Sequence, residues 1–227
     1  MLKSPGYSIS LLLPLMLLLA LSACSQPKIQ TQPGNVMQET RFDRDSMVMA
    51  DGYVLPMKTW VPAGQPSAAV LAIHGFNDYS NAFDAVGRAF TEDKLITYAI
   101  DQRGFGATDQ RGVWAGQGRM QSDLIATINL LCDKHEGLPI YVLGESMGGA
   151  VIISSLQELS RTCISGLILS APAVWGWQAM PWWQTLPLRL LAHTVPEMTV
   201  TGEDLDIEPS DNDEMLRALG RDPLIIK

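Results

Sequence analysis

The chain has 227 residues, the size of one domain with room for an insertion. Hydrophobic residues make up 47% and charged residues 18%, an ordinary globular composition that excludes bulk disorder. Sixteen basic against 24 acidic residues give a formal net charge of −8, and no basic run interrupts the acidic excess, so we expect no nucleic-acid partner. With three cysteines, three histidines and no C-x-x-C or H-E-x-x-H motif, the sequence predicts no metal site.

The first 23 residues have the pattern of an export signal. Lys3 is followed by an apolar run from Leu11 to Leu21, too short to cross a bilayer of about 30 Å as a permanent helix. The run ends in Leu21-Ser22-Ala23-Cys24, which resembles the lipobox of bacterial lipoproteins. This resemblance implies that residues 1–23 are cleaved off and that Cys24 carries a lipid that anchors the protein to a membrane. An ordinary signal peptide with an incidental cysteine is the alternative.

The same resemblance predicts where the protein resides. Ser25, rather than aspartate, follows the cysteine, as in lipoproteins sorted to the outer membrane, so we expect the protein in the bacterial cell envelope, facing the periplasm. Residues 24–40 include two prolines and a glycine and are predicted to be a flexible tether. The envelope is oxidising and allows a disulfide between Cys132 and Cys163. Spacing does not reveal geometry, so two buried free cysteines are the favoured interpretation and pairing stays open.

Strands and helices alternate between residues 41 and 170. Strands are predicted at 41–49, 53–61, 69–73, 95–100, 140–143 and 166–169, and helices at 82–93, 117–135 and 147–159. Apolar strands alternating with helices predict an α/β fold with a doubly wound, mostly parallel sheet. Residues 171–227 break this rhythm with repeated prolines and a cluster of tryptophans, and are predicted to be a helical cap, or lid, that is incomplete.

A tight turn between a predicted strand and a predicted helix carries a candidate nucleophile. Gly144-Glu145-Ser146-Met147-Gly148 matches G-x-S-x-G and joins the strand 140–143 to the helix 147–159. Glycines at 144 and 148 allow close approach of neighbouring segments, and the helix N-terminus offers amide groups to a developing oxyanion. This context indicates a nucleophile elbow; a chance match is the alternative.

Two further motifs precede the elbow in the order found in a known family. They are His74-Gly75-Phe76 and Asp101-x-Arg103-Gly104-x-Gly106. Together with the elbow they resemble α/β-hydrolases of the monoacylglycerol lipase, lysophospholipase and serine aminopeptidase group.

This resemblance implies an α/β-hydrolase fold in which Ser146 is the nucleophile. The backbone N–H groups of Phe76 and Met147 would form the oxyanion hole. His74 and Asp101 would order loops rather than catalyse, Asp101 acting through Arg103 and backbone amides. No cofactor is implied, and the Gly-rich turn at residues 104–106 lacks the third glycine of a dinucleotide-binding fingerprint.

The base and the acid of a serine triad are missing from the sequence. In α/β-hydrolases they follow the serine in the order acid, then histidine. The only histidine after Ser146 is His193, and it precedes the acidic cluster at residues 203–208. We therefore expect a chain truncated at its C-terminus, with its last strands, acid and histidine beyond Lys227, and inactive alone.

The intact protein is predicted to be a serine hydrolase of carboxylic esters. The Trp- and Leu-rich cap favours an apolar substrate such as a monoacylglycerol or a lysophospholipid. A serine aminopeptidase, or a non-catalytic lipid-anchored binding protein, are the alternatives. The sequence leaves the oligomeric state open.

Overall fold

The computed structural model describes residues 27–31, 37–176, 179–198 and 211–226. It divides into two compact units. The larger unit contains the described residues between 29 and 174 together with 211–226, and the smaller unit contains 27–28 and the described residues between 175 and 198. The predicted signal peptide, 1–23, and Cys24 lie outside the described residues.

Seven described strands of the larger unit form one sheet. The strands are β1 (Arg41–Asp43), β2 (Ser46–Val48), β3 (Val54–Trp60), β4 (Ala68–Ile73), β5 (Leu95–Ile100), β6 (Ile140–Glu145) and β7 (Gly166–Ser170). Their order is β1-β2-β3-β5-β4-β6-β7; β4 to β7 are mutually parallel, and β1, β2 and β3 pair antiparallel. The helices are α1 (Asp84–Glu92), α2 (Gln117–Lys134), α3 (Met147–Ser154), α4 (Leu156–Leu159), α5 (Trp182–Thr194) and α6 (Asp213–Arg221). Helix α5 belongs to the smaller unit.

The predicted α/β fold with a mostly parallel sheet is confirmed, and two predicted elements are divided. The predicted strand 41–49 is two strands, because Arg44 adopts a left-handed φ of 48° and the chain turns there without a glycine. The predicted helix 147–159 is interrupted at Ser155, whose hydroxyl donates to the carbonyl oxygen of Val151 at 2.8 Å. Such back-bonding by serine competes with the helical hydrogen bonds and favours a break.

The centre of the sheet positions the loops that matter for function. All six residues of β4 are buried, as expected for a strand between two parallel neighbours with both faces covered. The carboxyl ends of parallel strands lie at one edge of a sheet, so the loops after Ile73, Ile100, Glu145 and Ser170 meet there. Within the described residues, no helix combines the length and the apolar character needed to span a membrane.

Cys132 and Cys163 form a disulfide, which corrects the favoured interpretation of two buried thiols. Cys132 lies near the end of α2 and is half-buried, and Cys163 is exposed in the segment before β7. Their Cα atoms are 6.0 Å apart, within the usual range for a disulfide. The bond therefore ties α2 to the last strand in the order of the described sheet.

Part of the range predicted as a tether is bound to the larger unit. Gln30 is only 3% exposed, and its backbone N–H donates to the carbonyl oxygen of Trp114 at 2.9 Å. Thr31 donates through its backbone N–H to Oε1 of Gln110 at 2.9 Å, and Arg119 donates to the carbonyl oxygen of Gln30 at 2.7 Å. Within the predicted tether, this segment is therefore fixed against the loop that precedes α2.

Candidate active site

Ser146 occupies a strained turn between β6 and α3. Its backbone has φ 46° and ψ −110°, a conformation that L-residues rarely adopt. Three backbone hydrogen bonds hold Ser146 in this conformation. Its N–H donates to the carbonyl oxygen of Ser170 at 2.9 Å, and its carbonyl oxygen accepts from the N–H of Ala150 at 3.1 Å and from the N–H of Ala173 at 2.9 Å. Strain that surrounding bonds maintain is a recurrent property of functional residues. Within the described residues, no side chain hydrogen-bonds to the hydroxyl of Ser146.

The two glycines of the predicted elbow lie where a side chain would not fit. A Cβ atom at Gly148 would overlap the carbonyl oxygen of Ile73 and lie 2.7 Å from its carbonyl carbon. A Cβ atom at Gly144 would lie 2.8 Å from the carbonyl carbon of Gly148. The first turn of α3 thus packs directly against the backbone at the end of β4, and this brings Ser146 close to the loop after β4.

That loop places Gly75 and Phe76 beside the serine. A Cβ atom built on Gly75 would lie 3.4 Å from Cβ of Ser146. Among the described residues, neither the backbone N–H of Phe76 nor that of Met147 donates a hydrogen bond. Two unpaired amides on the segments that flank a serine are the donors that an oxyanion hole requires.

His74 lies fully buried at the start of this loop and is hydrogen-bonded at both ring nitrogens. The backbone N–H of Gln102 donates to Nε2 at 2.9 Å, so Nε2 carries no proton, and Nδ1 donates to the carbonyl oxygen of Gly75 at 2.7 Å. The ring therefore links the loop after β4 to the loop after β5. Burial lowers the pKa of His74 to about 4.

This low pKa predicts acid sensitivity. A histidine with a pKa of about 4 when folded and 6.5 when unfolded stabilises the protein fully above pH 6.5 and loses that contribution as pH falls toward 4. We expect the free energy of unfolding to decrease by about 3 kcal/mol between pH 7 and pH 4 from this group. Urea unfolding across this range measures it. His74→Gln should flatten the dependence, whereas His135→Gln should keep most of it; equal slopes in wild type and His74→Gln would refute the assignment.

Asp101 binds backbone amides on two loops, but it does not bind Arg103. Its Oδ1 accepts from the N–H of Ser80 and its Oδ2 from the N–H of Ala107, both at 2.9 Å. The expected link through Arg103 is wrong, because the guanidinium group is held elsewhere by two other carboxylates. The loop-ordering role of Asp101 therefore involves backbone amides alone.

Arg103 is the centre of a buried ion-pair cluster that the sequence did not reveal. It forms paired hydrogen bonds with Asp123, at 2.6 and 2.8 Å, and with Asp51, at 2.6 and 2.9 Å. The guanidinium also lies 4.3 Å from the ring centre of Tyr53. Burial raises the pKa of Asp123 to about 6, although Arg103 opposes that change. No motif joins these three acidic and basic positions in sequence, so only the fold could reveal them.

Carboxylates also gather near the loop after β4. Burial, together with the charges of Glu145 and Asp222, raises the pKa of Asp78. Glu145 immediately precedes the candidate nucleophile, and its Cδ lies 3.9 Å from a Cβ atom built on Gly75. The neighbourhood of the candidate oxyanion hole is therefore acidic.

No metal site accompanies these residues in the part of the chain that the structure describes, where no group of three potential ligands occurs. A serine on a tight turn after a central parallel strand, with two unpaired amides beside it, is the arrangement that characterises α/β-hydrolases. The chain belongs to the serine aminopeptidase family, because residues 64–227 match the family model described as "Serine aminopeptidase, S33".

Relatives and solved structures agree with this family. Monoglyceride lipase of Rattus norvegicus is 27% identical over 185 residues, which cover 81% of this chain and 60% of the rat protein. Monoacylglycerol lipase of Mycolicibacterium smegmatis is 26% identical over 191 residues, covering 84% and 67%. A soluble variant of monoglyceride lipase from Saccharomyces cerevisiae, solved with a substrate analog, superposes with a TM-score of 0.63 and 26% identity over 89% of this chain and 66% of that one. The chain thus spans about three fifths of the length of its mammalian relatives.

Proposed function

We propose that the protein is a serine hydrolase that cleaves carboxylic esters through an acyl-enzyme on Ser146. The observation that carries this proposal is the strained position of Ser146 between β6 and α3, next to Gly75 and to the unpaired amides of Phe76 and Met147. Membership of the serine aminopeptidase family and similarity to monoglyceride lipases support it.

The chemistry proceeds in two halves. The hydroxyl of Ser146 gives its proton to a histidine base as Oγ bonds to the acyl carbon, and the N–H groups of Phe76 and Met147 stabilise the resulting oxyanion. Each such donor contributes about 10²- to 10³-fold to the rate. Collapse of the intermediate expels the alcohol, which takes the proton from the histidinium. Water activated by the same histidine then releases the carboxylic acid and restores Ser146.

We infer that none of the three histidines in this chain is the catalytic base. Both ring nitrogens of His74 are occupied, and Nε2 of His135 is hydrogen-bonded to the hydroxyl of Tyr98 at 2.9 Å. His193 lies on α5, where its Nδ1 is 2.7 Å from the carbonyl oxygen of Arg189, and it precedes the acidic residues instead of following them. We therefore expect none of these three histidines to act as the base, and we expect the 227-residue chain alone to be inactive or nearly so.

A fluorophosphonate probe and an ester assay test both parts of this proposal. The 227-residue chain is compared with the full product of its encoding gene. Each is tested with Ser146→Ala and, as a matched control, with Ser122→Ala, an exposed serine on α2. We expect the full gene product to be labelled at Ser146 and to lose turnover by at least about 10⁴-fold in Ser146→Ala, with Ser122→Ala unchanged. A full gene product that is not labelled at Ser146 would refute the proposed hydrolase activity. Serine-dependent turnover by the 227-residue chain would show that the base lies within it.

An apolar acyl ester, such as a monoacylglycerol or a lysophospholipid, is the substrate class we propose. Three of the described relatives are named for monoglyceride or monoacylglycerol hydrolysis. Phe76, which provides one candidate oxyanion amide, also presents an exposed ring (71% of its surface) beside the serine loop.

The second candidate function is that of an aminopeptidase. The acidic neighbourhood of Asp78, Glu145 and Asp222 favours it, because carboxylates pair with the ammonium group of a peptide N-terminus. An aminoacyl p-nitroanilide and a p-nitrophenyl acyl ester distinguish the two activities. An aminopeptidase should lose cleavage of the anilide in Asp78→Asn and keep little ester turnover, whereas a lipase-type enzyme should show the opposite preference.

We propose that Cys24 is lipidated and that the protein is anchored in the bacterial envelope, facing the periplasm. The disulfide between Cys132 and Cys163 supports export, because such bonds persist in oxidising compartments. In cell fractionation we expect the wild-type protein in the membrane pellet, labelled by a metabolically incorporated fatty acid. Cys24→Ala should lose the label, and Cys163→Ala should keep it. An unlabelled wild-type protein would contradict lipidation.

A further inference from the structure

A short segment near the C-terminus, Asp222–Ile226, is bound to the loop that carries Phe76. The side-chain amide of Asn77 donates to the carbonyl oxygen of Ile226 at 2.7 Å and accepts from the N–H of the same residue at 2.7 Å. One side chain thus pairs with both polar groups of one peptide residue, as a neighbouring strand would do. Asn77 directly follows the candidate oxyanion residue.

Two more hydrogen bonds hold the same segment. The hydroxyl of Tyr79 donates to Oδ2 of Asp222 at 2.6 Å, and this bond lowers the pKa of Asp222. The side chain of Arg111 donates to the carbonyl oxygen of Pro223 at 2.9 Å. The side chain of Ile226 packs against the main hydrophobic core. The segment is therefore attached at both of its ends.

The backbone of Asn77 explains why its side chain matters for the loop. Asn77 has a φ of 57°, in the left-handed region, which asparagine tolerates better than most residues. Phe76 immediately precedes this turn, so a change in the backbone of Asn77 is transmitted to Phe76 through the peptide that joins the two residues. The hydrogen bonds to Ile226 are the contacts that fix the Asn77 side chain.

We infer that Asn77 is a positioning residue that couples the segment Asp222–Ile226 to the oxyanion loop. Docking of the segment holds the Asn77 side chain, and through it the turn that aims the amide of Phe76 at the substrate oxygen. This inference rests on the proposed function for its effect on catalysis, but the coupling itself is a property of the fold. A displacement of about 1 Å in such a donor can cost about a hundredfold in rate.

The test uses two substitutions at Asn77 in the full gene product. Asn77→Gly keeps the positive φ and removes the side chain, and Asn77→Asp keeps an acceptor for the N–H of Ile226 but removes the donor. Asn81→Ala, which removes a neighbouring exposed asparagine bonded to Lys58, is the matched control. The readouts are hydrogen exchange at the Ile226 amide, the amide NMR resonances of Gly75 and Phe76, and the kcat and KM of ester turnover.

We expect Asn77→Gly to accelerate hydrogen exchange at the Ile226 amide about tenfold and to shift the amide resonances of Gly75 and Phe76. The kcat of ester turnover should fall about tenfold, with KM changed by no more than about twofold. Asn77→Asp should be intermediate, and Asn81→Ala unchanged. Faster exchange at Ile226 with unmoved resonances would overturn the inference, since Asn77 would then only anchor the segment. If wild-type protein shows no turnover that depends on Ser146, the proposed function fails, and the resonances alone decide the coupling.

Discussion

Gly148→Ala should destabilise the protein by about 3 kcal/mol and abolish labelling of Ser146 in the full gene product. The added methyl would overlap the carbonyl oxygen of Ile73 and lie 2.9 Å from that of His74. Both acceptors belong to the backbone at the end of β4, a fully buried central strand, which cannot shift without disturbing its neighbours. Overpacking against backbone of this kind costs 1–3 kcal/mol or more. For a protein of this size, the melting temperature should fall by about 6–12 °C.

Gly118→Ala provides the control for this substitution. Gly118 lies in the first turn of α2, and a Cβ atom there would meet no atom within 4 Å. Alanine is also the better helix former, so this variant should be neutral or stabilised by up to about 1 kcal/mol. Thermal unfolding of both variants side by side measures the difference. If Gly148→Ala melted within a few degrees of Gly118→Ala, the close packing of α3 on β4 would be incorrect.

Removing the disulfide should be the second large effect. The bond closes a loop with a sequence separation of 31 residues. For a loop of this length, restriction of the unfolded chain contributes about 3.5 kcal/mol. The double variant Cys132→Ser/Cys163→Ser should therefore lose about 3.5 kcal/mol in denaturant unfolding. The double change is preferable to a single one, because a single change leaves an unpaired thiol that can pair between molecules.

Reduction of the wild-type protein is the matched measurement. Dithiothreitol should lower the wild-type midpoint to that of the double variant and leave the double variant unchanged. The loss of stability should extend to the backbone around Ser146. Among the described strands, β7 pairs only with β6, and the last residue of β7, Ser170, accepts the hydrogen bond from the N–H of Ser146. A double variant with wild-type stability, insensitive to reductant, would show that the cysteines are not paired in solution.

The strands of the sheet centre were predictable because burial on both faces leaves a continuous apolar run. The predicted strand 95–100 coincides with β5, and the predicted strand 69–73 differs from β4 by one residue. The turn at Arg44 was not predictable, because it contains neither glycine nor proline and depends on a positive φ at an arginine. The disulfide was missed for a related reason: its geometry arises from the end of α2 and the segment before β7 meeting in space, which spacing along the chain does not encode.

The candidate site was predictable to the extent that it is local in sequence. The elbow is a single motif, and Ser146, Gly144 and Gly148 occupy the turn that the motif predicts. The partners of Arg103 could not be predicted, because Asp51 and Asp123 are separated by 72 residues and no sequence pattern links them. Asn77 carried a weak signal, because asparagine adopts a left-handed conformation in loops more readily than most residues do. Its partner, Ile226, lies 149 residues away and carried none.

The hydrogen bond from Ala173 to the elbow lies close to the boundary between the two compact units. The N–H of Ala173 bonds to the carbonyl oxygen of Ser146, and the boundary between the two compact units falls between Val174 and Trp175. The three hydrogen bonds that hold the backbone of Ser146 therefore all come from residues of the larger unit that precede Trp175. Selection can lengthen, shorten or exchange the described residues between 175 and 198 without removing any of these three hydrogen bonds, and an engineer who wishes to change substrate preference can graft a new segment at the same junction.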